Sequence, residues 1–401
     1  MRVVFLTNIV SPYRRPVFER LAKTPGWDFH VLINAASEFD RSWEVNTEDL
    51  QVHQSKTWSI KRTVHSTDPV PFDQVITLHL PRSLWSDLKQ LKPDVVISHE
   101  LGPRTMLAAA YCKRHGIPLV IWAYQSRNSA TQTNRLKNTV RRVLLKQASA
   151  VVGMGTQARE VLNGLGVEDE RIIDAPNSAD CDTLNERLSS LETHREAEQI
   201  RETYGQGRKF ACVFGRLVPL KGTSAILDHW RCLPEAVRSQ WRLVFVGDGP
   251  LSQLVSEQND PGIIHAGVIP PDRIAAWYKA TDLHLFPTLG DVWGLVVNEA
   301  MQCGVPTLCS KHAGCCDDLV SDGVDGITYD PTSDNASKRL EHALTHPELS
   351  EMGRRARQAV RPYTLGRLAD AFRTAVQQAK GQAVADIASL SSGVSVANQR
   401  R

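Results

Sequence analysis

No apolar run in this 401-residue chain approaches the length a membrane span needs, about 18–20 residues. The expectation is a soluble or peripheral protein. Net charge is also scarce, only +3 from 47 basic and 44 acidic residues, which argues against a dedicated nucleic-acid binder. No Cys-x-x-Cys pair occurs. The cysteines at 112, 181, 212, 232, 303, 309, 315 and 316 lie mostly in apolar runs and read as reduced thiols of a cytoplasmic protein. Cys309, His312, Cys315 and Cys316 invite a metal-cluster reading, but adjacent cysteines give poor tetrahedral spacing. Small residues of a cleavage site are missing after Met1–Val10, which runs straight into Ser11-Pro12-Tyr13-Arg14-Arg15. That segment reads as a first buried strand, not a signal peptide. Finally, Asp and Glu are absent from Leu101 to Ala150. This stretch carries Arg104, Lys113, Arg114, Arg127, Arg135, Lys137, Arg141, Arg142 and Lys146, so a local basic face and an anionic partner are expected.

What is present is enough apolar residue, 42% against 23% charged, to build two cores in a chain of this length. Short Val/Ile/Leu runs alternate with helical patterns throughout. Strands are expected at 3–6, 29–33, 75–78, 95–98, 119–122 and 150–153, then at 210–214, 242–246, 263–266, 283–286, 307–309 and 326–329. Continuous apolar strands followed by helices indicate parallel sheets covered on both faces, hence two doubly wound α/β domains with a cleft between them. The polar, helix-prone stretch 183–207 marks the boundary. The expected organisation is a first domain over 1–190, a second over 191–364, a closing helix over 365–379 and a frayed tail over 380–401.

Two strand ends carry unusual chemistry. Phe214-Gly215-Arg216 leads through Pro219 to Lys221-Gly222. It sets two cations and two permissive glycines at the carboxyl end of a strand, where a diphosphate would be held. Further on, Asp291 precedes a helix that starts near Gly294 and stops at Gly304, with Pro306 beyond. Its first turn, Gly294-Leu295-Val296, offers free amides and the positive end of the helix dipole. Glu299 is flanked by Val296, Val297, Ala300 and Met301, and a carboxylate so placed needs hydrogen-bond donors such as ribose hydroxyls. The alternatives are solvated surface cations and an ordinary exposed Glu.

In this order and at these spacings, the motifs resemble the retaining glycosyltransferases of family 4, which have the two-domain GT-B fold. The resemblance covers about residues 1–380. It rests on Gly215–Gly222, on Asp291 and Glu299 with Ala300 to Thr307 following, on Gly247-Asp248-Gly249-Pro250, on His265 to Ile269, and on Ala175-Pro176-Asn177-Ser178. It implies two Rossmann-like domains and a UDP- or GDP-sugar co-substrate with no metal required. Arg216 and Lys221 would hold the diphosphate, with Gly294, Leu295 and Val296 amides helping; Glu299 would hold the ribose, Ile269 would lie near the base, and Asp291 would meet the sugar hydroxyls. Arg216, Lys221, Asp291 and His99 are the catalytic candidates, with Tyr124 beside His99 on the acceptor side. The implied reaction moves a hexose to a glycan or lipid-linked acceptor in cell-surface polysaccharide or lipopolysaccharide synthesis. A sugar-nucleotide epimerase or a non-catalytic relative is the alternative. The chain departs from the family pattern at Asp291, usually Glu, at Tyr124, commonly His, and at Gly314-Cys315 with Asp318.

Three further patterns need weighing. Asp180-Cys181-Asp182 has the spacing of a metal-binding acidic pair but reads as a solvated pair at the domain boundary. Gly153-Met154-Gly155 with Ala158 and Asp174 loosely fits a dinucleotide fingerprint, on a late strand where that fingerprint does not belong. Residues 133–146 read as a basic amphipathic helix, with Leu136, Val140, Val143 and Leu144 on one face. Such a helix suits an anionic membrane surface, which places the protein in the cytoplasm with a peripheral seat on the inner membrane face.

Overall fold

The computed structural model describes residues 1–36, 45–66, 72–128 and 135–397. Two parallel sheets dominate. The first runs in the order β3 (Gln51–Gln54), β2 (Asp28–Ile33), β1 (Arg2–Thr7), β6 (Val95–His99), β7 (Leu119–Ala123), β8 (Ala150–Gly153), β9 (Ile172–Asp174). The second runs β12 (Ile263–Gly267), β11 (Trp241–Val246), β10 (Lys209–Phe214), β13 (Leu283–Phe286), β14 (Thr307–Ser310), β15 (Ile327–Tyr329). In both, the order reverses beside the first strand of the lobe, which opens a crevice at the carboxyl ends.

The two-sided burial explains why these strands read as unbroken apolar runs. On β1, Val4 and Leu6 face one cluster while Val3 and Phe5 face another. On β10, Ala211 and Val213 face one side, and Phe210, Cys212 and Phe214 the other. Each fully buried Val, Leu or Phe contributes about 1.5–3 kcal/mol, so neither face is left uncovered.

Three features depart from expectation. The strand expected at 75–78 lies within β5 (Phe72–Pro81), which joins no parallel sheet. It pairs antiparallel with β4 (Thr57–Ser66) in a separate hairpin. Second, the helix begun at Leu365 runs to Ala397 rather than ending at Ala379. The segment 381–397 has no proline to break the helix; residues 398–401 of the expected tail lie outside the described residues. Third, this helix returns to the first lobe. Phe372 meets Phe5 and Trp122 edge-on at 5.5 and 5.1 Å, and Arg373 donates to Thr24 Oγ1 and the Arg20 carbonyl. Helices Cys181–Leu188 and Leu191–Ile200 pack instead on the second lobe, against helices Ile274–Ala280 and Leu295–Gln302.

Candidate active site

The loop after β10 is held by its neighbour after β11. Gly247 (φ +141°) and Gly249 lie against the carbonyls of Gly215 and Leu217, where any Cβ would collide. The Leu217 amide donates to the Asp248 carbonyl at 2.9 Å, and the Leu251 amide donates to the Leu217 carbonyl at 3.0 Å. Pro219–Lys221 forms one 3-10 turn, and Gly222 (φ +74°) presses on the Pro287 carbonyl. The loop is thereby rigid. It leaves Arg216 exposed and carries Lys221 across to Asp291, with which it forms an ion pair. The Lys221 ammonium also lies 5.7 Å from the centre of the Phe286 ring.

Asp291 is fixed from three sides. Its amide donates to the His312 carbonyl, its carbonyl accepts from the Gly314 amide, and its Oδ1 accepts from the Trp293 amide at 3.2 Å. Only Oδ2 faces Lys221. Gly294 caps the next helix at φ +111°, with the Phe286 ring where a Cβ would stand. This position therefore demands glycine, and it lets Leu295 and Val296 open the helix with amides that have no intrahelical partner. The helix closes at Gly304, whose amide donates to the Met301 carbonyl while Val305 donates to the Ala300 carbonyl, a paired C-terminal cap.

Glu299, one turn further on, is half-buried and accepts a 2.7 Å hydrogen bond from the Tyr278 hydroxyl. Burial pushes its carboxyl above the ordinary glutamate value, and the Tyr278 bond opposes that shift. Tyr278 is buried and stacked on Phe214 at 4.1 Å, so the strand-end aromatic positions the partner of Glu299. No local pattern announces Tyr278; it comes from a helix preceding β13. Ile269 joins the same apolar cluster as Val296.

His99 lies in the first lobe, at the carboxyl end of β6, and is buried. Its ring nitrogens both face the Arg14 guanidinium, at 3.1 and 3.4 Å, and its ring contacts Trp122 and Tyr124 at 4.7 and 5.1 Å. Burial first, then the charges of Arg14 and Arg104, hold the His99 imidazole well below the ordinary histidine value. Arg104 donates to the His99 carbonyl and to Asn8 Oδ1, and burial lowers its own pKa to about 10. Burial raises the Tyr124 phenol pKa; the Arg14 charge opposes that rise, and Tyr13, Asp291 and Glu100 add to it. Arg14, Arg104 and Asn8 were missed from sequence; Arg14 sits in a basic pair just after the first strand, the one signal available.

The decoy motifs are occupied by structural work. Asp180 caps its helix by accepting from the Thr183 amide at 3.4 Å, and also accepts from the Thr183 hydroxyl at 2.9 Å, while Asp182 pairs with Arg20. The glycine turn at 153–155 opens helix Gly155–Gly164, but its anion seat is filled from the other lobe. Asp318 accepts from the Thr156 amide at 3.0 Å and its hydroxyl at 2.9 Å. Gln157 donates to the Ala313 carbonyl, and Asn128 donates to the Leu289 and His312 carbonyls. These contacts tie the lobes beside Asp291. Cys309, Cys315 and Cys316 are buried free thiols. Among the described residues, no three or more His, Cys, Asp or Glu gather in a set able to hold a metal ion.

With this geometry in place, comparison with known proteins is consistent on both lobes. The family description "Glycosyl transferase 4-like domain" matches residues 10–178, and "Glycosyl transferases group 1" matches residues 194–359. The sulfoquinovosyl transferase SQD2 of Arabidopsis thaliana is 24% identical over 311 residues, which is 74% of this chain and 59% of that protein. O-antigen chain mannosyltransferase B of Escherichia coli is 29% identical over 133 residues, 32% of this chain and 34% of that one. The chain thus spans only part of the curated relatives it matches. Anabaena Alr3699/HepE, solved in complex with UDP, superposes with a TM-score of 0.71 at 18% identity, over 94% of this chain and all of that chain. At that identity the likeness concerns the fold. Two parallel α/β lobes, a loop bearing Arg216 and Lys221, and a helix bearing Glu299 accord with both family matches, and the chain belongs to the family-4-like glycosyltransferases with the GT-B fold.

Proposed function

We propose that this chain is a retaining glycosyltransferase moving a hexose from a UDP- or GDP-sugar to a glycan or lipid-linked acceptor, in the synthesis of cell-surface polysaccharide or lipopolysaccharide. The observation that carries the reading is the pairing of Lys221 with Asp291 at the mouth of the Gly294 helix, with Glu299 one turn along. Arg216, Lys221 and the Leu295 and Val296 amides bind the diphosphate. Glu299, held by Tyr278, accepts from the ribose hydroxyls, and Ile269 lies against the base. Asp291 accepts from hydroxyls of the transferred sugar once the diphosphate has drawn Lys221 away.

The bond from the anomeric carbon to the diphosphate oxygen breaks as the acceptor oxygen attacks on the same face. The departing oxygen takes the acceptor's proton, so no metal or protein nucleophile is required. Cations fixed on a rigid loop stabilise the charge that develops there. His99 and Tyr124 face the acceptor from the first lobe. Helix Arg135–Gln147 lends its cations to an anionic membrane surface, a peripheral seat on the inner face of the cytoplasmic membrane.

Thermal shift against UDP-, GDP- and other nucleotide sugars tests the donor. At a hundredfold excess over Kd the true donor stabilises the protein by about 2.7 kcal/mol. Donor consumption without release of nucleoside diphosphate would point to an epimerase instead, and no stabilisation by any donor would remove the proposal.

A further inference from the structure

The basic helix Arg135–Gln147 has no continuous apolar face to offer a bilayer. Leu144 and Leu145 are buried in the first lobe, Arg141 is buried beside them, and only Leu136 and Val143 project. An amphipathic helix inserts by its apolar face, and here that face is already packed.

The β4–β5 hairpin is different. Its register pairs Trp58 with Leu80 and Ile60 with Leu78 on one face, and Ser59 with His79 on the other. The polarity is inverted relative to an ordinary surface hairpin. His79 is buried, bonded to Ser59 at 2.9 Å, and lies near Arg104 and Glu100, so the His79 side of β5 turns to the lobe while Ser59 and Lys61 on β4 stay exposed. The apolar face turns to solvent: Trp58 is 59% exposed, Ile60 49% and Leu78 38%. Arg82 stacks on Trp58 at 4.2 Å, a cation over an aromatic at the rim of an apolar patch.

The surroundings extend this surface. β5 packs on helix Pro103–His115, which in turn touches helices Leu84–Leu91 and Arg135–Gln147. Trp85, Met106 and Leu107 are exposed on these helices, and most exposed large apolar side chains of the described residues belong to the first lobe. The same stretch, 101–150, has no acidic residue. β5 also touches the Pro219–Lys221 turn, so this face adjoins the mouth of the cleft.

We infer that the β4–β5 hairpin is the element by which the protein enters an anionic lipid surface, with the basic helix supplying attraction only. The inference rests on the membrane seat proposed above and names its inserting part. Apolar side chains with Arg82 stacked at their rim, beside an acid-free stretch, complement a surface of negative headgroups over hydrocarbon.

Co-flotation of the full chain with phosphatidylcholine vesicles, with and without phosphatidylglycerol, tests it. The parent is expected to float with the anionic vesicles. A Trp58→Ser/Ile60→Ser variant should lose at least about tenfold in partition coefficient, with an unchanged melting curve and unchanged release of nucleoside diphosphate in vesicle-free solution. An Arg135→Glu/Arg142→Glu/Lys146→Glu variant should lose only the preference for anionic over neutral vesicles. Equal flotation of parent and hairpin variant overturns the inference. So does a parent that floats with neither vesicle. A parent that is a dimer by gel filtration, monomeric in the hairpin variant and indifferent to vesicles, would show that a second copy covers this face. Absence of diphosphate release from every form would count against the transferase reading alone, because flotation decides the hairpin separately.

Discussion

Asp291→Asn separates the two roles of one carboxylate. Oδ2 of Asp291 holds Lys221, while Oδ1 holds the Trp293 amide. Asparagine keeps an acceptor for Trp293, so the loop stays in place, but it frees Lys221 and removes a negative charge next to the diphosphate seat. The pair is partly solvated, with side chains 31% and 19% exposed, so its strength is that of a surface pair, about 0.5–1 kcal/mol. Free UDP or GDP should therefore bind the variant about two- to fivefold more tightly. Sugar transfer should move the other way, because a charged acceptor for a sugar hydroxyl is lost. A hydrogen bond to a charged group is worth about 1.5–3 kcal/mol, hence a fall in kcat/KM of about 10–100-fold. Calorimetric titration with the nucleoside diphosphate and steady-state kinetics with the nucleotide sugar read the two effects. If both quantities fall, or if neither changes, the reasoning about the Lys221–Asp291 exchange is wrong.

Removing the Tyr278 hydroxyl in Tyr278→Phe should raise the already elevated Glu299 pKa, because the lost bond favours the charged carboxylate. The acid limb of the kcat/KM profile then moves to higher pH; an unmoved limb counts against Glu299 as the ribose acceptor. The same shift has a stability sign. A carboxyl with a raised folded pKa favours the fold below its ordinary 4.5 and loses that contribution as pH rises through the folded value, a window the variant extends upward in urea titrations. Gly294→Ala forces a side chain to φ +111° and into the Phe286 ring, and should cost about 1–3 kcal/mol by chemical denaturation as well as weaken nucleotide binding. Phe372→Ala leaves a cavity against Phe5 and Trp122 and should cost about 3–5 kcal/mol, read as a lower melting temperature; a neutral result would mean that the returning helix contributes little.

What could be read from sequence follows from how local each signal is. The two sheets were legible because their strands are buried on both faces, which writes continuous runs such as Val95–Ile97 and Ala150–Val152. The loops of the candidate site were legible because close backbone approach demands glycine at 222 and 247, and a positive φ beside the Phe286 ring demands it at 294, while charge appears at 216, 221 and 291. The hairpin was half-read, since Leu78 of β5 reads as part of a core strand although it is exposed in an antiparallel hairpin. Tyr278 carried no local signal, and Arg14 and Arg104 did not stand out from other surface cations, because Glu299, His99 and Asn8, which they meet, lie 21, 85 and 96 residues away. The seat of Asp318 on Thr156 was equally hidden, and it turned a nucleotide-like glycine turn into a joint between lobes.

The most direct test of the central claim is turnover of Lys221→Ala against the parent, measured as nucleoside diphosphate release with the donor found by thermal shift. Loss of this fixed cation should lower turnover by about 10²–10³-fold, while the melting curve without ligand changes little. Undiminished turnover in a folded variant would contradict the assignment of the Lys221–Asp291 mouth as the seat of the reaction.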